Sequence, residues 1–262
     1  MSIIQNMIET YKLVYQVEKD YPLEIIVTTE IYNERLKLSN TKCDQAIVEA
    51  SKQELSDCRQ LLVLPDEQDS NFYLLLHEEL FDESQLYGQV IAYEYTRLID
   101  YADIQSKYGI KNLRAAQFPD SACLLFLSEA RACFRSFNLY YNLTSVENKS
   151  VLFSYLCGMV PDYEKALCRD LPAHMISLAE FYGQALAIGS YVNFEVSLPD
   201  YLNRHAVHDL LAQLKTNINN VSIFENYEVI CETYNDFIVN KSKEAHVHTH
   251  QCNHDHGEHH HH

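Results

Sequence analysis

The apolar pattern of this chain changes period near residue 83, and that change limits the folds open to it. Before it, apolar residues collect in short aliphatic runs bounded by turn residues. LEIIVTTEIY (23–32) is β-branched and reads as a strand. RQLLVLPDEQ (59–68) reads as a strand closed by a Pro-Asp turn, and NFYLLLHEELF (71–81) as its neighbour in a small sheet. Amphipathic helices are predicted over 2–19, stopping before Pro22, and over 42–58. After residue 83 the spacing is helical throughout. Helices are predicted near 84–106, 121–141, 149–158, 172–192, 200–217 and 222–240, with Pro119, Pro161, Pro172 and Pro199 in the gaps. This order is an α+β fold, with a small sheet or hairpin in the N-terminal third and a predominantly helical remainder. No internal repeat or linker divides it. Residues 1–240 therefore read as a single domain and 241–262 as a His-rich flexible tail.

Charge narrows the partners. With 37 acidic and 20 basic residues in 262, the formal net charge is -17. Nucleic-acid phosphates and anionic membrane surfaces both need Lys and Arg, so neither is expected as a partner. MSIIQNMIETYK lacks the basic and apolar segments of a signal peptide, and no run approaches a membrane span. The eight Cys show no CxxC and no tight framework, so they read as reduced thiols of a cytoplasmic protein. The Asn142 and Asn220 sequons are then chance occurrences.

The most informative stretch is GQVIAYEYTRLIDYAD (88–103). On a helix, positions 93, 97 and 100/101 share a face through i,i+4 and i,i+3 spacing. Zinc hydrolases place two His at this one-turn spacing, as HExxH, so that both imidazoles reach one metal. The Glu between them lies beside the metal-bound water and takes its proton.

The frame Tyr93-Glu94-Tyr95-Thr96-Arg97-Leu98-Ile99-Asp100-Tyr101 resembles a family of small bacterial zincin-like proteins, often phage-borne. Their core reads HExTH, an apolar pair, then Asp-Tyr or Asp-Phe. Glu94, Thr96, Asp100 and Tyr101 match that pattern, whereas Tyr93 and Arg97 stand where the two His belong. The family places a two-strand edge just before this helix, as residues 59–81 do here. It also places a Ser-Glu-aromatic-x-Ala stretch on a later helix. LFLSEARACFRSF (125–137) is similar, with Ser128, Glu129 and Ala132 in register and Ala130 in place of the aromatic. The resemblance covers roughly residues 59–140. It implies a zincin-like core in which Glu129 is the third metal ligand.

The departure decides the chemistry. A catalytic zinc needs about three protein ligands and a water. A Tyr phenol, with a pKa of about 10, is a poor ligand at neutral pH. An Arg guanidinium stays protonated, only donates, and repels a divalent cation. The core is therefore expected to carry no metal, with Tyr93, Glu94, Arg97 and Glu129 as vestiges of a catalytic site and Thr96, Asp100, Tyr101 and Ser128 flanking the pocket. Arg97 is expected to pair with Glu129, Glu94 or both, and Tyr93 to cap the pocket with its hydroxyl. The protein then acts by binding an unknown protein or peptide as a pseudoenzyme. Two other readings stand beside this one. YEYTRLIDY can be a plain amphipathic helix with a solvated Glu94–Arg97 pair, or the chain can be a divergent metallopeptidase using Glu94, Glu129 and one body His.

The remaining signals are weaker. His77-Glu78 lacks a second His at position 81 and reads as strand. His205 and His208, beside Asp209, read as a partly exposed helix face, and His174 as part of a helix's first turn. No GxGxxG, GxxxxGK[ST] or GxSxG appears. The tail is different. Of the 13 His, nine follow residue 245. The alternating His246, His248, His250, Cys252, His254 and His256 can fold a flexible chain around zinc, nickel or copper, for buffering or delivery. His259–His262 alone reads equally as a purification tag.

Overall fold

A computed structural model describes residues 3–82, 86–144, 151, 171–192 and 205–252. Within them the chain is an α+β protein, mostly helical, with one small sheet in the N-terminal third. The sheet has three strands: β1 (Leu23–Thr28), β2 (Gln60–Val63) and β3 (Phe72–His77). β3 is central. β2 pairs with it antiparallel, Leu62 opposite Leu74, as expected of neighbours joined by the Pro65-Asp66 turn. β1 pairs parallel to β3 on the other side, Leu23 opposite Phe72 and Thr28 opposite His77. Burial on both faces explains why FYLLL reads as a continuous apolar run instead of an alternation. Phe72, Leu74, Leu76 and Leu62 face the main core. Tyr73, Leu75 and Val63 face a second, smaller cluster closed by Ile31.

Several N-terminal boundaries differ from expectation, each for a local reason. Helix α1 (Ile3–Val14) stops well before Pro22 because Gln16 turns left-handed at φ 54°, and the Val17 N–H then bonds to the Lys12 carbonyl at 2.9 Å. The strand predicted to residue 32 ends at Thr28. Its last apolar residue, Ile31, instead opens helix α2 (Ile31–Lys37) and is buried from there. The helix expected over 42–58 breaks at Ser51 into α3 (Lys42–Ala50) and α4 (Lys52–Asp57). The Thr41 hydroxyl caps α3 by accepting from the Asp44 N–H at 3.0 Å.

The long helices form the main core. α5 (Leu86–Tyr108) ends at Gly109, which is left-handed at φ +63°, with the Ile110 N–H returning to the Gln105 carbonyl at 3.0 Å. α6 (Ser121–Thr144) and α7 (Leu171–Val192) follow. Pro172 lies inside the first turn of α7 instead of before it, a position where a missing N–H costs nothing. α8 (His205–Asn217) and α9 (Tyr227–Cys252) complete the described fold. α9 continues twelve residues beyond its expected end at 240, because no Gly or Pro interrupts Tyr227–Cys252. The helix expected over 149–158 lies outside the described residues except for Val151, as do Pro161 and Pro199.

α6 is the centre of the helical part. α1 packs on α5 through Ile4, Ile8 and Tyr11, and α9 reaches α6 through Tyr234, whose ring lies 5.2 Å from that of Phe126. α7 meets α6 at Gly183. A Cβ there would stand 2.4 Å from the Ala130 carbonyl oxygen and 2.7 Å from the Cys133 Cβ, so the two backbones touch with no room for a side chain.

Candidate functional site

Register along α5 and α6 assembles the site. Tyr93, Glu94 and Arg97 rise along one turn of α5, and Glu129 faces them from α6. Arg97 Nη1 donates to Glu94 Oε2 at 3.1 Å, and Arg97 Nε lies 3.9 Å from Glu129 Oε2. The guanidinium thus stands between the two carboxylates. The Tyr93 hydroxyl donates to Glu129 Oε1. Gln60, at the start of β2, donates to the other oxygen of Glu94 at 3.4 Å. The Arg97 guanidinium also lies over the rings of Tyr93 and Tyr101, 5.5 and 5.8 Å from their centroids. Glu94 and Glu129 are 2 % and 7 % exposed, so these are interior interactions and not the solvated pair of a surface helix.

Burial sets the electrostatics. It pushes the Glu94 carboxyl above its ordinary range, and the Arg97 charge pulls the other way. Burial also opposes the Arg97 charge, but Glu94 and the surrounding phenols and carboxylate outweigh it and hold the guanidinium protonated. Burial raises the Tyr93 phenol strongly, so Tyr93 remains a neutral donor. These groups do not fit a divalent cation. The place between the carboxylates holds a fixed positive charge, and Glu129 Oε1 accepts a hydrogen bond from the Tyr93 hydroxyl. Among the described residues, no three His, Cys, Asp or Glu side chains are grouped to hold a metal.

A cavity of about 330 Å³ opens beside this cluster. Tyr93 and Glu129 form its inner wall, with Gln60 from β2, Cys133 from α6, and Glu180 and Gln184 from α7 around them. Burial, and next the charge of Glu129, raise the Glu180 carboxyl. Sequence reasoning missed the α7 side of this wall. Its only signal is a polar i,i+4 pair, Glu180 and Gln184, in an otherwise apolar helix.

Three residues expected to flank the pocket belong elsewhere. Thr96, Asp100 and Ser128 enter a separate network buried between α1, α5 and α6. Arg131 Nε donates to both Asp100 oxygens at 3.2 Å, and Ser128 lies beside that carboxylate. The Thr96 hydroxyl meets the Tyr11 hydroxyl at 2.7 Å and donates to the Ala92 carbonyl at 2.8 Å. Arg135 Nη1 donates to the Tyr11 hydroxyl at 3.0 Å. Arg131 and Arg135 then share one acceptor, the Asn220 carbonyl between α8 and α9, at 2.9 and 2.8 Å. Both arginines are 1 % exposed. Of the expected flanking residues, Tyr101 stays with the site, its ring beneath the Arg97 guanidinium.

Of the body histidines, His77 is the one whose side chain is described. His77 ends β3, with its ring nitrogen 2.9 Å from the Thr29 carbonyl and the other accepting from the Glu79 N–H. His174 lies in the first turn of α7, and His205 and His208 open α8. Of the tail, residues 241–252 are helical and 253–262 lie outside the described residues. No described helix is long and apolar enough to cross a membrane. No family model, curated protein or solved structure matches this chain.

Proposed function

We propose that this protein is a binding protein built on a zincin-like core whose metal has been replaced by an arginine, and that it does not hydrolyse peptides. The observation that carries the reading is the Arg97 guanidinium between Glu94 and Glu129, at 3.1 and 3.9 Å. An arginine there supplies the charge compensation that a cation would otherwise give two buried carboxylates. It supplies no water and no Lewis acid. Glu94, engaged by both Arg97 and Gln60, has no activated water to deprotonate.

A protein or peptide partner suits the surroundings. Among the described residues β2 is an edge strand, and its Gln60 lines the same cavity as Tyr93 and Glu129. A cytoplasmic location is supported by the free thiols of Cys43, Cys58, Cys123, Cys133 and Cys231. The test uses the full chain with the tail histidines and Cys252 replaced, so that the tail cannot mask the core. After dialysis against zinc it should hold none and cleave no casein. Stoichiometric zinc, or peptidase activity abolished by Glu94→Gln, would overturn the proposal.

A further inference from the structure

The cavity beside Tyr93 carries an unbalanced charge. Two carboxylates line it, Glu129 from α6 and Glu180 from α7, and among the described residues no Lys, Arg or His does. Arg97 is committed to Glu94 at 3.1 Å and to Glu129 at 3.9 Å. Glu180 feels that guanidinium only as a more distant charge. Among the described residues no hydrogen bond or ion pair engages the Glu180 carboxylate. Burial, and then the charge of Glu129, raise its carboxyl, as like charges do when no cation stands between them. The rest of the wall says which cation fits. Its volume of about 330 Å³ is that of a small organic pocket. A hard divalent ion wants six or more oxygens closed around it, which this wall does not supply. Val90 and Phe137 offer apolar surface instead, and Gln60, whose Nε2 goes to Glu94, keeps an amide oxygen to accept with. An alkylammonium matches all three features. It brings one positive charge, three N–H donors and an aliphatic stem.

We propose that this cavity binds an alkylammonium group, with Glu180 and Glu129 as its counter-charges and Val90 and Phe137 along its stem. The group is a lysine side chain of the partner, so the inference rests on the binding reading given above and names that partner's chemistry. The formal net charge of -17 draws a basic partner toward the chain, and the cavity selects one side chain of it. A free amine presents the same group without the peptide.

The experiment uses the full chain near neutral pH at about 0.15 M salt, where surface charges are screened beyond roughly 8 Å. Three probes are titrated and followed by the broadening of their own NMR signals: a blocked glycine peptide with one central lysine, the same peptide with that lysine acetylated, and n-butylammonium. The lysine peptide should bind and the acetylated one should not. Glu180→Gln should weaken binding about tenfold or more, the equivalent of about 1.4 kcal/mol. Glu180 and Glu49 are both exposed, so neither replacement should disturb the fold, which circular dichroism checks. Glu49→Gln, on α3, should leave binding unchanged. Equal binding of the acetylated peptide, or equal loss in the two variants, would overturn the proposal. Butylammonium binding as tightly as the lysine peptide would overturn the partner side chain in favour of a free amine. Zinc in the core is the failure of the functional reading, whereas a zinc-free core that ignores the ammonium is the failure of this inference alone.

Discussion

Arg97 does at one residue what a metal site does with several. It neutralises Glu94, orders Glu129 and stacks between Tyr93 and Tyr101. Removing it leaves a buried carboxylate uncompensated. Arg97→Met is therefore expected to destabilise the fold by about 3 kcal/mol, and Glu94→Gln/Arg97→Met by less, because the double variant buries no unpaired charge. Chemical denaturation of the four chains of the cycle checks this. The pH dependence has a definite sign. Glu94 is already held above its ordinary pKa, and without Arg97 it rises further. A raised carboxyl loses stability as pH rises from its unfolded value toward its folded one. The Arg97→Met chain should thus be weakest at neutral pH and recover toward pH about 4.3. Positions 93, 94 and 97 were legible in the sequence because helical spacing places them on one turn, and Glu129 was reached only through the resemblance of LFLSEARACFRSF. Arg131 and Arg135 were not. An arginine ordinarily stays at the surface, and only the partners met in three dimensions, Asp100, Tyr11 and the Asn220 carbonyl, account for two of them in the interior.

At the level of elements, the site depends on how closely α6 and α7 approach. Glu129 and Cys133 stand on one helix and Glu180 and Gln184 on the other, with Gly183 at the point of contact. Gly183→Ala must push the backbones apart. A loss of about 1–3 kcal/mol is expected, as for other overpacked cores, despite the better helix propensity of alanine. Gly88→Ala should be milder, since its Cβ would meet only the flexible end of Met7. Thermal unfolding of the two variants separates these outcomes. Helix periods were readable in α5 to α9 up to residue 240 because the apolar faces repeat, and the end of α9 was not. Strand ends were less so: Ile31-Tyr32 extends the β-branched run of β1, yet tertiary burial of Ile31 against Tyr73 and Leu75 draws it into α2. The left-handed turn at Gln16, which ends α1, has no sequence signature of the kind Gly109 gives α5.

Across the whole molecule, two arginine clusters tie distant parts of the chain to the core. Arg131 and Arg135 hold the α8–α9 connection by its Asn220 carbonyl. Arg114 binds the Leu64 and Leu38 carbonyls at 2.5 and 2.8 Å, and reaches Asp66 at 2.9 Å and Asp44 at 3.2 Å. Burial raises both carboxyls, but the Arg35 hydrogen bond at Asp44 and the Asn40 and backbone hydrogen bonds at Asp66, with the Arg114 charge, outweigh it and hold them below the usual range. Their contribution is present above the unfolded carboxylate pKa of about 3.9 and lost as pH falls through the folded values. Arg114→Met should lower stability at neutral pH and flatten the acid limb of the stability curve, which urea unfolding between pH 2 and 7 reads directly.

If, as proposed, an arginine occupies the place of a metal ion, restoring the imidazoles should restore the metal. Tyr93 and Arg97 are one turn apart and both reach Glu129, so Tyr93→His/Arg97→His should rebuild a three-ligand site. The direct measurement is zinc content after dialysis, made on the full chain with its tail ligands replaced. The parent should hold no zinc, and the folded double variant should hold it stoichiometrically. Zinc in the parent, or none in a folded double variant, would contradict it.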